Sequence, residues 1–315
     1  MGFETLLGND RLKENLTNSL AQGRISHFYL ISGPAGSGKH TLARLLAAAI
    51  LCKNPGAPCG ACLPCRKVRE NNHPNVITVD DPEHKTVAVK IVRQYREDVY
   101  IRPNESDRKI YLFPQELGIE GQNALLKILE EPPAYGVFIL LSNNPERLLP
   151  TVRSRCTELS LTALPDAVLK KELARRFPQA SPESLEAAAA RSGGYLGQAI
   201  CMLSREDTTP AQTEQFFQSF AMKNTLELTK TLVSMEKWKR DQLVEVLEDW
   251  TAVLVEALAC RSGMRPVHPM AETLASSRSS RELSAAVQAL QKAVFYGQSN
   301  VSPAAVCGWL VWQLR

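Results

Sequence analysis

No apolar run in this 315-residue chain reaches about 18 residues, so no membrane-spanning helix is expected. The stretch from Met1 to Leu20 is polar and periodic, without the basic-then-apolar build of a secretory signal. Neither sign of charge dominates: 37 Lys and Arg stand against 33 Asp and Glu, a formal net charge of +4. That balance permits a nucleic-acid partner without demanding one. There is no basic stripe with interleaved aromatics of the kind single-strand binders use. This argues against a free-standing DNA-binding module. Internal repeats and low-complexity tails are missing too.

What remains is a chain with 44% hydrophobic residues, enough for a sizeable core. Its length suggests two or three domains at roughly 100–200 residues each. It carries eight cysteines. Without a signal peptide they point to a reducing cytosol, where clustered thiols read as metal ligands rather than disulfides.

Leu12, Leu16 and Leu20 recur every four residues and predict a first amphipathic helix. Phe28 to Ile31 is a short apolar run, expected as a buried strand. Leu42, Leu45, Leu46, Ala49 and Ile50 then mark one face of a helix from about His40 to Cys52. Four more apolar runs follow, at Asn75–Val79, Lys109–Phe113, Val137–Leu141 and Cys156–Leu161. Most are separated by helical patterns, one around Val92, Tyr95 and Val99, another around Leu125, Ile128 and Leu129 that stops at Pro132-Pro133. Strands alternating with helices imply a parallel α/β sheet of five strands ending near Leu161. Beyond Ala163 strand signals vanish. Pro165–Phe177, Pro182–Arg191 and Gly197–Ser204 predict three short helices. Past Thr208 the chain is expected to be an all-helical bundle, with helices over Trp238–Ala259 and Arg281–Phe295. Arg261–Ser280 is its most loop-like part, and a last helix starts at Ser302-Pro303. The expected domains are 1–162, 163–207 and 208–315.

Cys52, Cys59, Cys62 and Cys65 are spaced C-x6-C-x2-C-x2-C on a turn-rich segment. Four thiolates so placed can surround one Zn²⁺ tetrahedrally, a closed and therefore structural site. An iron–sulfur reading would need a Cys-Pro three residues beyond Cys65, where Arg69-Glu70 stand. Cys156, Cys201, Cys260 and Cys307 are scattered in apolar contexts and are expected to pack.

The glycine-rich stretch from Gly33 to Thr41 follows the first strand and opens a helix, the setting of a phosphate-cradling loop. Gly33, Gly36, Gly38 and Lys39 fit it. The pattern G-x-x-x-x-G-K-[ST] then wants a hydroxyl for magnesium; His40 stands there, and Thr41 comes one place late. The strand Lys109–Phe113 should be followed by a metal-holding acid and a water-activating Glu. Pro114 and Gln115 occupy those places, and Glu116 lies one residue too far. Phosphate binding by Lys39 and the loop N–H groups is less damaged than hydrolysis. ATP or ADP binding stays open; its hydrolysis is not expected.

The P-loop, the four cysteines, Asn123-Ala124-Leu125-Leu126-Lys127-Ile128-Leu129-Glu130-Glu131-Pro132-Pro133 and Ser154-Arg155-Cys156 occur here in one order. In this the chain resembles the bacterial sliding-clamp loaders, AAA+ proteins of the DNA polymerase III holoenzyme. The resemblance covers about Phe3 to Ser204, and the remainder only through its helical character and the Asn300–Pro303 helix start. It implies an AAA+ sheet domain with a zinc module at 52–65, a small helical lid and a helical collar that completes a hetero-pentamer. In that family the gamma/tau subunits hydrolyse ATP and delta-prime subunits do not. Pro114, Gln115 and the missing lid arginine near Gly197 are similar to the non-hydrolysing type. The resemblance makes Arg155 an arginine finger supplied in trans, with Arg153 as its decoy. It implies gamma/tau and delta subunits as partners, the sliding clamp and primed DNA as what the complex handles, and no membrane. The alternative is a gamma/tau-type ATPase with its metal site moved to Thr41 and Glu116.

Overall fold

In the computed structural model, residues 2–84, 86–205, 211–264, 266, 268–299 and 301–314 are described. The chain divides into two compact units, Met1–Ser204 and Arg205–Arg315. The small helical segment lies within the first. The expected boundary at 207/208 and residue Asn300 fall outside the described residues.

The first unit runs α1 (Asp10–Ala21), β1 (Phe28–Ser32), α2 (Lys39–Leu51), α3 (Leu63–Arg69), β2 (Val76–Thr78), β3 (Thr86–Val87), α4 (Val89–Asp98), β4 (Lys109–Phe113), β5 (Glu116–Leu117), α5 (Ile119–Glu130), β6 (Gly136–Ser142), α6 (Pro150–Arg153), β7 (Thr157–Ser160), α7 (Asp166–Arg176), α8 (Pro182–Arg191) and α9 (Leu196–Arg205). Five strands form a parallel sheet in the order β2-β4-β6-β1-β7. The three central strands are buried along their whole length, as apolar runs covered on both faces must be. Their side chains alternate between two cores. Tyr29, Ile31, Ile110, Leu112, Val137 and Ile139 face the core shared with α1, α2 and α3. Phe28, Leu30, Tyr111, Phe113, Phe138 and Leu140 face the core shared with α4 and α5. On this second face Phe138 stacks on Phe28 at 4.5 Å and on Tyr111 at 5.2 Å, an aromatic ladder across three strands in register.

β3 and β5 form a separate parallel pair that period-2 patterning does not reveal. Helices α7, α8 and α9 enclose a core of their own, built on Leu169, Leu173, Ala188, Ala189, Ala199 and Leu203.

The second unit is helical: α10 (Ala211–Ala221), α11 (Thr225–Ser234), α12 (Arg240–Arg261), α13 (Pro269–Ser277), α14 (Ser280–Gln298) and α15 (Pro303–Gln313). Trp250 lies at its centre, stacked on Phe216 at 3.8 Å with its indole N–H donating to Thr213 Oγ1. The expected helix start at Ser302-Pro303 is present, with Ser302 accepting from the Ala305 amide. The loop expected over Arg261–Ser280 is corrected: it contains α13. Gly263, left-handed at φ 90°, ends α12, and Pro269 sits at the first position of the next helix, capped by the His268 side chain. The proline that reads as a loop signal is a helix start here.

Candidate functional site

The carboxyl ends of β1, β4 and β6 meet at one edge of the sheet, where α/β folds place their ligands. β1 passes into the glycine loop, whose Gly33 amide still donates to Ser142 O of β6. Gly38 takes φ 97° and opens α2, a backbone turn that a side chain would strain.

Lys39, the first residue of α2, is buried. Its ammonium donates to the carbonyl oxygens of Gly33 at 2.6 Å and Pro34 at 2.8 Å. Burial lowers its pKa and the Glu116 carboxylate opposes that shift. Desolvation, then the Lys39 and Arg44 cations, lower the pKa of His40. A neutral imidazole therefore stands where a hydroxyl would hold magnesium, a cation that prefers hard oxygen ligands. Thr41 is exposed.

The residues after β4 are committed to the fold. Pro114 offers no side-chain ligand atom. The Gln115 side chain accepts from the Asp81 amide at 2.7 Å and donates to the carbonyls of Asp81 (2.9 Å) and His84 (3.0 Å). It ties the end of β4 to the loop after β2. This strut is not legible in the sequence, where Gln115 reads only as a lost base. Glu116 accepts from the Asn143 amide at 3.3 Å and pairs with Arg147 at 3.0 Å. The cleft these residues line, with Gln122 and Ser142, encloses about 20 Å³, room for one water. Ser142-Asn143-Asn144 forms a polar turn: Ser142 Oγ donates to Asn144 O, and Asn144 Oδ1 caps the turn that follows.

Changing Gln115 to Glu is accordingly expected not to create hydrolysis. It removes both amide donations and sets a carboxylate against two carbonyls, a cost of about 1–3 kcal/mol. Denaturant unfolding of the variant checks the loss, and ATP turnover by the variant alone checks its lack of gain.

The same loop carries a titrating pair. His84 Nδ1 lies 3.0 Å from both Asp81 oxygens. The hydrogen bond that the His84 ring donates to the Asp81 carboxylate raises the His84 pKa above 6.5 and lowers that of Asp81 below 3.8. Their mutual support is complete between those ordinary values. It is lost as pH rises through the raised His84 value or falls through the depressed Asp81 value. Amide exchange over Asp81–Ala88, measured across pH 5 to 9 and corrected for the intrinsic rate, should lose protection on the alkaline side.

At the far side of the sheet, Arg155 follows α6 and precedes β7. Its guanidinium donates to Thr151 O at 3.0 Å and lies 3.7 Å from Glu130 Oε1. Arg153 differs: its Nε and Nη2 both donate to Glu158 Oε2, at 3.3 and 3.2 Å. Each is about 40% exposed, so exposure does not separate them. Partnership does, because Arg155 has no carboxylate within hydrogen-bond distance among the described residues.

The four cysteines converge between α2 and β2. Cys52 ends α2, Cys62 precedes α3 and Cys65 lies on it. Their sulfurs all lie within 4.8 Å of one another. The Cys59 sulfur accepts from the Cys62 amide and from Asn54 Nδ2, and backbone N–H groups lower its pKa to about 6. Burial raises the Cys65 thiol. The donor set fits one soft tetrahedral cation. Two ion pairs, Lys67–Glu105 at 2.6 Å and Lys53–Asp107 at 3.0 Å, fasten the module to the loop before β4.

Residues 8–165 match the family model described as DNA polymerase III, delta subunit. The chain belongs to this clamp-loader family. Among its curated relatives, DNA polymerase III subunit delta' of Pseudomonas aeruginosa is 40% identical over 175 residues, 54% of this chain and 53% of that one. Subunit tau of Bacillus subtilis is 30% identical over 211 residues, 64% of this chain and 37% of tau. The family member described here thus spans about half the length of the delta' relative and less of tau. A gamma subunit-related protein of Thermotoga maritima shares the fold, with a TM-score of 0.55 at 17% identity over 96% of this chain and 98% of that one. In this family member a five-stranded parallel sheet of order β2-β4-β6-β1-β7 carries the glycine loop between β1 and α2. Among its described residues no helix is long and apolar enough to cross a membrane.

Proposed function

We propose that the chain is a non-hydrolysing clamp-loader subunit that presents Arg155 to ATP held by a neighbouring ATPase subunit. The observation that carries this is what occupies the positions after β4 and holds the P-loop lysine. Pro114 has no side-chain ligand, Gln115 braces a loop, Glu116 is paired with Arg147, and Lys39 is bonded to its own loop. Holding Mg²⁺ and activating water need free oxygen ligands and a free base at those places. The rival, a gamma/tau-type ATPase working through Thr41 and Glu116, would first have to break the Glu116–Arg147 pair.

In this reading Cys52, Cys59, Cys62 and Cys65 hold one structural Zn²⁺. The helical second unit serves as the collar that joins gamma/tau and delta subunits in a hetero-pentamer. The complex loads the sliding clamp onto primed DNA in the bacterial cytoplasm. The purified chain should show no ATP turnover, with or without primed DNA. Turnover abolished by Lys39→Ala would sink the proposal.

A further inference from the structure

The P-loop and the start of α9 touch backbone to backbone. The first amides of a helix have no partner within it and must find an acceptor elsewhere. In α9 the Gly197 amide donates to the carbonyl of Gly36, at 2.9 Å, and the Gln198 side chain donates to the carbonyl of Ala35, at 3.0 Å. The phosphate loop itself thus caps this helix, where a serine or aspartate side chain would ordinarily do so. The positive end of the helix dipole rests on the same two carbonyls. With Lys39 bonded to Gly33 O and Pro34 O, four consecutive loop carbonyls accept hydrogen bonds, from the Lys39 ammonium, the Gln198 side chain and the Gly197 amide.

Two glycines make this approach possible. A Cβ on Gly197 would lie 2.5 Å from Gly36 Cα and 2.8 Å from Gly36 O. A Cβ on Gly36, which has φ 74°, would press on the Gln198 amide nitrogen and lie 2.8 Å from the Gly197 carbonyl carbon. Both clashes are with backbone, so neither is relieved by turning a side chain.

We propose that the Gly36–Gly197 contact is a latch, which shuts the α7–α9 segment onto the phosphate loop, keeps nucleotide out while it is made, and couples opening of the two. The proposal deepens the non-hydrolysing reading and concerns the same loop. It also recasts Gly197. The residue is more than a missing arginine, since any side chain there holds the helix away from the loop. Gly197→Arg therefore opens the latch instead of restoring an ATPase.

Hydrogen exchange on the intact chain tests this. In the wild type the Gly197 amide is protected, and saturating ATP speeds its exchange. In Gly197→Ala, exchange at residues 196–198 rises by about tenfold or more while the sheet amides keep their protection. A fluorescent ATP analogue then binds about tenfold more tightly, because the competent state no longer has to be selected. Unchanged exchange at Gly197 in a folded Gly197→Ala chain overturns the latch. So does ATP binding to the wild type without faster exchange there, or an opened variant that gains no affinity for nucleotide. Should Gly197→Ala not fold, Gly36→Ala decides: its Cβ presses on the Gln198 amide nitrogen and the Gly197 carbonyl carbon, and unchanged exchange at Gly197 in that variant overturns the latch. These readouts do not involve Arg155, so the latch and the arginine assignment can fail separately.

Discussion

Replacing Arg155 by alanine in a reconstituted loader is expected to lower ATP turnover at the neighbouring site by about 10³-fold. Arginine fingers supplied in trans contribute on the order of 10³–10⁵ to phosphoryl-transfer rates. The reason is geometric and electrostatic. The planar guanidinium pairs with two phosphate oxygens at once and stays charged. Arg155 suits this because little holds it: one bond to Thr151 O, and a carboxylate at 3.7 Å. The measurement is single-turnover hydrolysis at that site, with the P-loop lysines of the other ATPase subunits replaced. Arg155→Lys should recover little of the rate, since an ammonium lacks the fork. Arg153→Ala should leave it near the wild-type value, because that guanidinium is engaged with Glu158. Wild-type turnover in the Arg155→Ala loader would remove the finger assignment.

The second large effect is expected at the cysteine cluster. The purified chain should carry about one Zn²⁺, bound with an apparent free energy on the order of 10 kcal/mol or more at pH 7, as structural zinc sites are. Cys65→Ser takes away the most buried of the four ligands. Zinc content after mild chelation should then fall to about a tenth or less, because three thiolates leave the ion an open position. The loss should be felt beyond the cluster. α3 carries Lys67, and the Lys67–Glu105 pair joins it to the loop that leads into β4. Amide exchange is expected to rise over residues 52–70 and around 105 together. Full zinc content in Cys65→Ser would show that four-thiolate coordination is wrong.

Much of the first unit was legible because its central strands are simple. The strands Phe28–Ser32, Lys109–Phe113 and Gly136–Ser142 are built on continuous apolar runs, and the sheet buries them on both faces. The helices packed on them show the 3.6-residue period. The β3–β5 pair was not legible, since two-residue strands have no period to detect. α13 was hidden by its own start signal, Pro269 among neighbours that resemble a loop. The site divides in the same way. Pro114 and Gln115 announce a loss in one dimension, but the strut that Gln115 makes to Asp81 and His84 exists only after the chain has folded. Gly197 looks like an omission in the sequence. Its contact with Gly36, 161 residues earlier, is a property of the fold.

The stacking of Trp250 on Phe216 has an optical consequence. All four tryptophans, Trp238, Trp250, Trp309 and Trp312, lie in the second unit. Indole emission therefore originates wholly in the helical bundle. Urea titrations followed by indole fluorescence and by exchange of the sheet amides of β1, β4 and β6 would yield separate midpoints for the two units, without dissecting the polypeptide.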